Sequence, residues 1–223
     1  MKNEIEKLEQ FYAIAKRFHC FPCKNLLHQK TVVYGDKKIQ VNLINTAVFS
    51  SKDEDQGFHY LPQRDIERLS EQSGADYVIT VMHHPHHWYT NKCKKNLEKA
   101  IFTSSDLIFV GHEHFESDMT IIKDNTTVNI FAAGELCNKG DWSRSELHIG
   151  VLDLDTGNYS SHRYRLYAGD TLYKEVGEER KLALTKDKVR YFGFEISRNF
   201  ISNYMCEDKH FISSSFLDYF VFP

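Results

Sequence analysis

Two groups of histidines have the composition and spacing of a metal site. The first is the string HHPHH at residues 83–87, which directly follows the apolar run at residues 77–82. The second is the string GHEH at residues 111–114, which directly follows the run DLIFV at residues 106–110, apolar after its first residue. Neutral imidazole is the commonest nitrogen ligand for zinc, and it also binds iron and manganese. Histidines placed directly after two apolar runs therefore indicate a transition-metal site.

The elements around these strings predict that both groups lie at one edge of a sheet. The runs at residues 77–82 and 106–110 are short and mainly apolar, as buried strands are. Residues 91–102 have the apolar spacing of a helix and connect the two strands. Such a β-α-β unit pairs its strands in parallel, and open α/β sheets bind ligands at the carboxyl ends of their strands. The histidine groups are therefore expected to be neighbours in space.

The second string contains the residue types that bring two ligands to the same side of the backbone. Gly111 permits a sharp turn where the strand ends. An i, i+2 spacing places His112 and His114 on the same side of an extended segment. We predict that His83, His112 and His114 are metal ligands, holding either one ion or two adjacent ions.

The rest of the chain alternates between helix and strand patterns. Apolar and polar residues alternate on both sides of Gly35-Asp36, which predicts a β-hairpin. The polar run at residues 50–57 predicts a surface loop with only a secondary role at the site. Helices are predicted at residues 4–18 and 62–74. Further strands, predicted to extend the sheet in antiparallel fashion, lie at residues 119–122, 128–132 and 147–154.

Composition excludes several classes of protein. The 223 residues have a formal net charge of −3, so the sequence shows no basic footprint for nucleic acid. The sequence shows no apolar run long enough for a membrane helix and no signal peptide at the start. Its five cysteines are irregularly spaced, which suits a reducing compartment. These features predict a cytoplasmic protein. A C-x-x-C at Cys20 and Cys23, near His28, offers an alternative zinc site, but no second C-x-x-C completes it.

The strings VMHHP at residues 81–85 and GHEH at residues 111–114 resemble the later motifs of the calcineurin-like metallophosphoesterases. The similarity covers about residues 30 to 165 and includes the stretch INTAVFS. It implies an α/β fold, an αββα sandwich with mixed sheets, of which this chain has the second half. It also implies binding of Mn, Fe or Zn and hydrolysis of phosphomonoesters or phosphodiesters by metal-bound hydroxide.

The resemblance also assigns roles to individual residues. It implies that His83 and His112 share one ion while His114 binds its neighbour. His84 is the catalytic candidate, facing the phosphate or supporting a ligand from behind. Trp88 and Tyr89 would line the pocket.

The family's earlier motifs, D-x-H, G-D-x-x-D and G-N-H-[DE], are not found where they belong. The string DKH at residues 208–210 matches D-x-H, but no apolar strand precedes it and it follows the histidine motifs. We therefore expect a fragment, weak or inactive alone, whose missing half comes from an upstream polypeptide. The parallel strand that ends at His83 is expected to have an unpaired edge.

The sequence divides into residues 1–168, the phosphoesterase portion, and residues 169–223, a C-terminal extension ending in an aromatic tail. The alternative to a phosphoesterase is a non-catalytic module, derived from the same fold, that binds metal or another protein. Substrate and oligomeric state do not follow from the sequence, because in such folds they depend on loops and appended regions.

Overall fold

The computed structural model describes Ala13 and residues 25–50, 55–71, 74–113, 117–123, 126–134, 145–167, 172–177, 180–184 and 189–190. Several sequence predictions lie outside this part of the chain. They concern the helix at residues 4–18, apart from Ala13, the C-x-x-C at Cys20 and Cys23, the string at residues 208–210, and the aromatic tail.

Six of the described strands form one mixed sheet, in the order β1-β2-β3-β4-β6-β5. These strands are β1 (Leu27–Tyr34), β2 (Lys37–Ile44), β3 (Tyr77–Met82), β4 (Leu107–Val110), β5 (Ser117–Lys123) and β6 (Thr126–Ala132). Pairing is parallel among β2, β3, β4 and β6, and antiparallel at both ends of the sheet. The predicted β-α-β unit is therefore confirmed at the centre of the sheet.

Two helices connect strands of this sheet. Helix α1 (Gln63–Ser70) lies between β2 and β3 in the sequence, and helix α2 (Asn91–Ser104) lies between β3 and β4. The sequence predicted α1 as far as Gly74, but the helix ends at Ser70. Thr90 caps the start of α2 by accepting a hydrogen bond from the backbone N–H of Cys93. Single 3-10 turns at Ala47–Phe49 and His86–Trp88 follow β2 and β3.

The predicted hairpin is confirmed, and the predicted unpaired edge is wrong. In the hairpin, Tyr34 pairs with Lys37 across a two-residue turn in which Gly35 has φ 60°. The hairpin places β2 beside β3, where Ile44 pairs with Met82 in parallel. Strand β3 therefore lies between β2 and β4. Among the described strands, the edges of this sheet are β1 and β5.

A second, antiparallel sheet packs on the first. It contains β7 (Ser145–Leu152), β8 (Asn158–Leu166), β9 (Lys174–Glu175), β10 (Arg180–Leu184) and β11 (Val189–Arg190). The order is β11-β10-β8-β7, and β9 pairs with β8. The prediction that strands after β4 extend the first sheet in antiparallel fashion is therefore wrong for β7, and for β6, which pairs with β4 in parallel.

Two apolar cores separate the layers of this mixed α/β fold. One core joins the helices, through residues such as Leu69 and Leu97, to one face of the first sheet. The other joins the opposite face to the second sheet, through Phe131, Tyr159 and Leu182 among others. Leu182 lies on β10, so residues after position 168 pack in the same core as the strands that precede it. None of the helices that the structure describes is long and apolar enough to cross a membrane.

Candidate metal centre

The parallel pairing of β3 and β4 brings His83 and His112 into contact. The pairing extends beyond the strands, because the backbone N–H of Gly111 donates to the carbonyl of His83 at 2.9 Å. Nε2 of His83 and Nδ1 of His112 are 3.1 Å apart. Two imidazoles on one tetrahedral zinc, with Zn–N bonds of about 2.0–2.1 Å, have their nitrogens roughly 3.3 Å apart. The separation therefore fits two ligands of one ion.

The backbone at His112 is left-handed. Its φ of 74° is the one positive value found at a described residue other than glycine, and the N–H of Glu113 donates to the carbonyl of Gly111 at 2.9 Å. The predicted extended conformation at His112 is therefore wrong. This conformation costs an L-residue about 1–2 kcal/mol, and such strain is found preferentially at functional sites. The third predicted ligand, His114, lies outside the described residues.

The Glu113 side chain links the two histidine strings. Its carboxylate accepts a hydrogen bond from Nε2 of His87 at 2.7 Å and another from the indole N–H of Trp88 at 3.3 Å. The rings of Trp88 and His112 pack at an interplanar angle of 80°, with centroids 4.2 Å apart. Glu113 and Trp88 therefore restrain the turn that contains His112. Tyr89, the other residue expected to line the pocket, is almost completely buried.

His84 lies between the other histidines and is buried. The Thr46 hydroxyl oxygen lies 2.9 Å from Nδ1 of His84 and accepts a hydrogen bond from the His84 backbone N–H at 3.2 Å. The ring centroid of His84 lies 4.1 Å from that of His112. His83, His84 and His112 each offer a nitrogen within 4.8 Å of the others, so His84 is a third potential ligand.

Burial determines the protonation of His84. Burial, together with the nearby rings of His59, His83 and His112, lowers the pKa of His84 to about 2. His84 is therefore a neutral imidazole near neutral pH, which is the form that binds metal. In the metal-free chain it has no proton to donate as an imidazolium at that pH.

The sequence predictions missed a second group around His84. Asp55 and His59, which the sequence placed in or beside a surface loop, are buried next to it, and the three side chains offer ligand atoms within 4.8 Å of one another. The ring of His59 stacks on that of His84, with centroids 3.9 Å apart and an angle of 28°. A weak signal was present, since Asp55 and His59 have the i, i+4 spacing that brings side chains together in one helical turn.

Backbone contacts hold this segment beside the first histidine string. The N–H of Gly57 donates to the carbonyl of Trp88 at 2.7 Å, and the N–H of Thr90 donates to the carbonyl of His59 at 2.9 Å. Gly57 has φ 85°, a conformation that favours glycine. His59 is completely buried, and burial lowers its pKa despite the opposing influence of Asp55.

Both groups fit a transition metal by the chemistry of their donors. Imidazole nitrogens with or without a carboxylate suit zinc, iron and manganese, and the pKa values of His59 and His84 favour the neutral, ligand form of each ring. Restraint of the rings from behind, as Thr46 provides for His84, is usual for metal-binding histidines.

No family model matches the chain, and no curated protein matches it. It is similar to a solved hypothetical protein from Thermus thermophilus, with 12% identity, a TM-score of 0.35 and coverage of 69% of this chain and 60% of that one. It is also similar to GAP50, the anchor in the inner membrane complex of Plasmodium, with 15% identity and a TM-score of 0.35. That match covers 83% of this chain and 61% of GAP50. The chain thus spans about three fifths of the length of each.

Proposed function

We propose that this chain is part of a metal-dependent phosphoesterase of the calcineurin-like metallophosphoesterase type. The main support is the 3.1 Å approach of the His83 and His112 ring nitrogens at the carboxyl ends of two neighbouring parallel strands. That edge is where open α/β sheets bind ligands. On this proposal the two packed sheets and the helices are the second half of an αββα sandwich, and the protein acts in the cytoplasm.

His83 and His112 would hold a Mn, Fe or Zn ion, with His114 as the ligand that the family resemblance adds. When bound, such an ion supplies Lewis acidity, which polarises a phosphoryl oxygen of a phosphomonoester or phosphodiester and acidifies water. Glu113 and Trp88 keep His112 in place from behind. His84 adds a buried, neutral imidazole beside these ligands.

A non-catalytic metal-binding or protein-interaction module is the second candidate. The observation in its favour is that the group of His83, His84 and His112 contains imidazoles only. Two-metal phosphoester hydrolysis generally uses ions ~3.5–4 Å apart, and in the family the earlier motifs provide a carboxylate that bridges them. We therefore propose that this chain alone is weak or inactive, and that an upstream polypeptide with those motifs completes the enzyme.

Metal and phosphate binding test the site without depending on catalysis. We expect the chain to bind Mn²⁺, and the Mn²⁺-loaded chain to bind inorganic phosphate in a calorimetric titration. The double variant His83→Asn, His112→Asn should lose the Mn²⁺ ion that these two histidines hold, and with it the phosphate. The matched control is His28→Asn on the edge strand β1, which should retain both. An unchanged number of bound Mn²⁺ ions together with unchanged phosphate binding in the double variant would contradict the proposed site.

Hydrolysis of bis(p-nitrophenyl) phosphate and p-nitrophenyl phosphate with Mn²⁺ then separates the two candidates. The isolated chain should show negligible turnover, and co-expression with an upstream polypeptide that contains D-x-H, G-D-x-x-D and G-N-H-[DE] should restore it. Robust turnover by the isolated chain would refute the need for a second half. A complex that binds metal and phosphate but hydrolyses neither ester would favour the non-catalytic module.

A further inference from the structure

Asp55 and His59 form a buried polar cluster with His84, and neither the sequence motifs nor the proposed phosphoesterase activity accounts for it. Charged and polar side chains this deeply buried are normally hydrogen-bonded, paired or bound to metal. Asp55 is 7% exposed and His59 is 0% exposed. We propose that Asp55, His59 and His84 form a second transition-metal site beside the one built on His83 and His112.

The donor set fits this role. All three ligand atoms lie within 4.8 Å of one another, so small side-chain shifts bring them around one ion. Two imidazoles and one carboxylate are a common protein ligand set for zinc and for non-haem iron(II), with coordination positions left open. The group of His83, His84 and His112, by contrast, has nitrogen donors only.

The polar neighbours of the His59 ring, Asp55 and the Thr46 backbone, do not form hydrogen bonds of ordinary length with it. Within the described part of the chain, neither of its ring nitrogens makes a hydrogen bond of normal geometry. Nε2 of His59 is 3.5 Å from Oδ2 of Asp55, which exceeds the usual hydrogen-bond range of about 2.7–3.2 Å. A metal ion bound by both side chains would satisfy the buried imidazole and neutralise the adjacent carboxylate.

The surrounding backbone holds these ligands in position from three elements. Asp55 and His59 lie in one turn, where the N–H of Phe58 donates to the carbonyl of Asp55 at 3.0 Å. The N–H of Thr90 anchors His59 to the segment after β3. Thr46, after β2, holds His84 through its hydroxyl. These contacts tie the three ligands to the backbone around β2 and β3.

The contact with Thr46 decides which His84 nitrogen can bind a metal ion. When Nδ1–H of His84 donates to the Thr46 hydroxyl, the lone pair for metal lies on Nε2. One nitrogen serves one ion. We assign it to the site with Asp55 and His59, where it supplies the second imidazole beside the one carboxylate. The chain should then hold two ions, one at each site.

Cobalt(II) is a suitable probe, because its visible absorption reports the coordination of each ion independently of catalysis. We expect two Co²⁺ per purified full-length chain by elemental analysis and titration. Asp55→Asn has nearly the same shape as the native residue but is a far weaker ligand. It should lower the affinity of one Co²⁺ by at least about 100-fold, since even changes behind a ligand typically cost 10–100-fold. His83→Asn should weaken the other Co²⁺ instead.

The outcomes separate this site from the proposed phosphoesterase centre. A single Co²⁺ in the wild type, lost in His83→Asn and retained in Asp55→Asn, would overturn the second site. Loss of one Co²⁺ in Asp55→Asn with the other retained would support it, whether or not ester hydrolysis is ever observed. Circular dichroism checks folding of each variant. If Asp55→Asn does not fold, His59→Asn replaces it, and an unchanged two-Co²⁺ spectrum in that variant would also overturn the proposal.

Discussion

Lowering the pH from 7 to 5 is expected to destabilise the metal-free chain through His84. Burial lowers the pKa of His84 to about 2, whereas an exposed histidine in the unfolded chain titrates near 6.5. Between these two values the unfolded state binds the proton and the folded state does not. The free energy of unfolding therefore falls as the pH falls below about 6.5, and this part of the stability is restored above that pH.

The size of the effect follows from the same two pKa values. Integrating the difference in bound protons from pH 7 to pH 5 gives a loss of about 2 kcal/mol for His84 alone. The pKa of His59 is also lowered by burial, so His59 contributes with the same sign. The total loss in the wild-type chain should therefore exceed the share of His84.

Urea denaturation with EDTA, at pH 7 and pH 5, measures this loss. His84→Gln removes the titrating ring and keeps a neutral polar side chain next to Thr46. The fall in the free energy of unfolding should be smaller in His84→Gln than in the wild type by about 2 kcal/mol. Equal falls in the two proteins would refute the conclusion that His84 is buried as a neutral imidazole.

Three further predictions concern individual side chains. Thr46→Val should weaken Zn²⁺ binding about 10–100-fold, because it removes the hydroxyl that orients His84. Competition with a chromophoric chelator measures the affinity, and the control Thr46→Ser, which keeps the hydroxyl, should bind Zn²⁺ as tightly as the wild type. In urea denaturation, the free energy of unfolding of His112→Gly should be about 1–2 kcal/mol higher than that of His112→Ala, because only glycine adopts φ 74° without a Cβ penalty. Equal free energies of unfolding in the two variants would argue against backbone strain at His112. Leu182→Ala should lower the free energy of unfolding by about 2–5 kcal/mol in the same assay, because Leu182 is completely buried. The control Leu172→Ala, at an exposed position, should lower it by less than about 0.5 kcal/mol. A similarly small loss for Leu182→Ala would show that β10 does not pack in the core.

Local patterns predicted the centre of the fold. Strand β3 has the predicted bounds, Tyr77–Met82, and helix α2 begins at the predicted Asn91. The turn at Gly35-Asp36 joins two strands as expected. These elements were predictable because apolar periodicity and turn chemistry depend on residues close in sequence.

The second sheet could not be predicted in the same way. Strand β8 buries Ser160, Ser161 and His162, so the alternation of apolar and polar residues that marks a half-buried strand is missing. Its pairing with β10 joins segments separated in sequence, with Lys181 opposite Ser160. Long-range pairing of this kind depends on the packed core and leaves no local pattern.

The sequence by itself determined that His83 and His112 follow two neighbouring strands, because the β-α-β pattern fixes parallel pairing. Only the tertiary structure decided that His84 is buried against Thr46, that Asp55 and His59 join it, and that His112 has a left-handed backbone. The physical reason is that burial and side-chain contact depend on residues brought together by the β2-β3-β4 pairing. Burial and side-chain contact of this kind cannot be predicted from the spacing of residues along the chain.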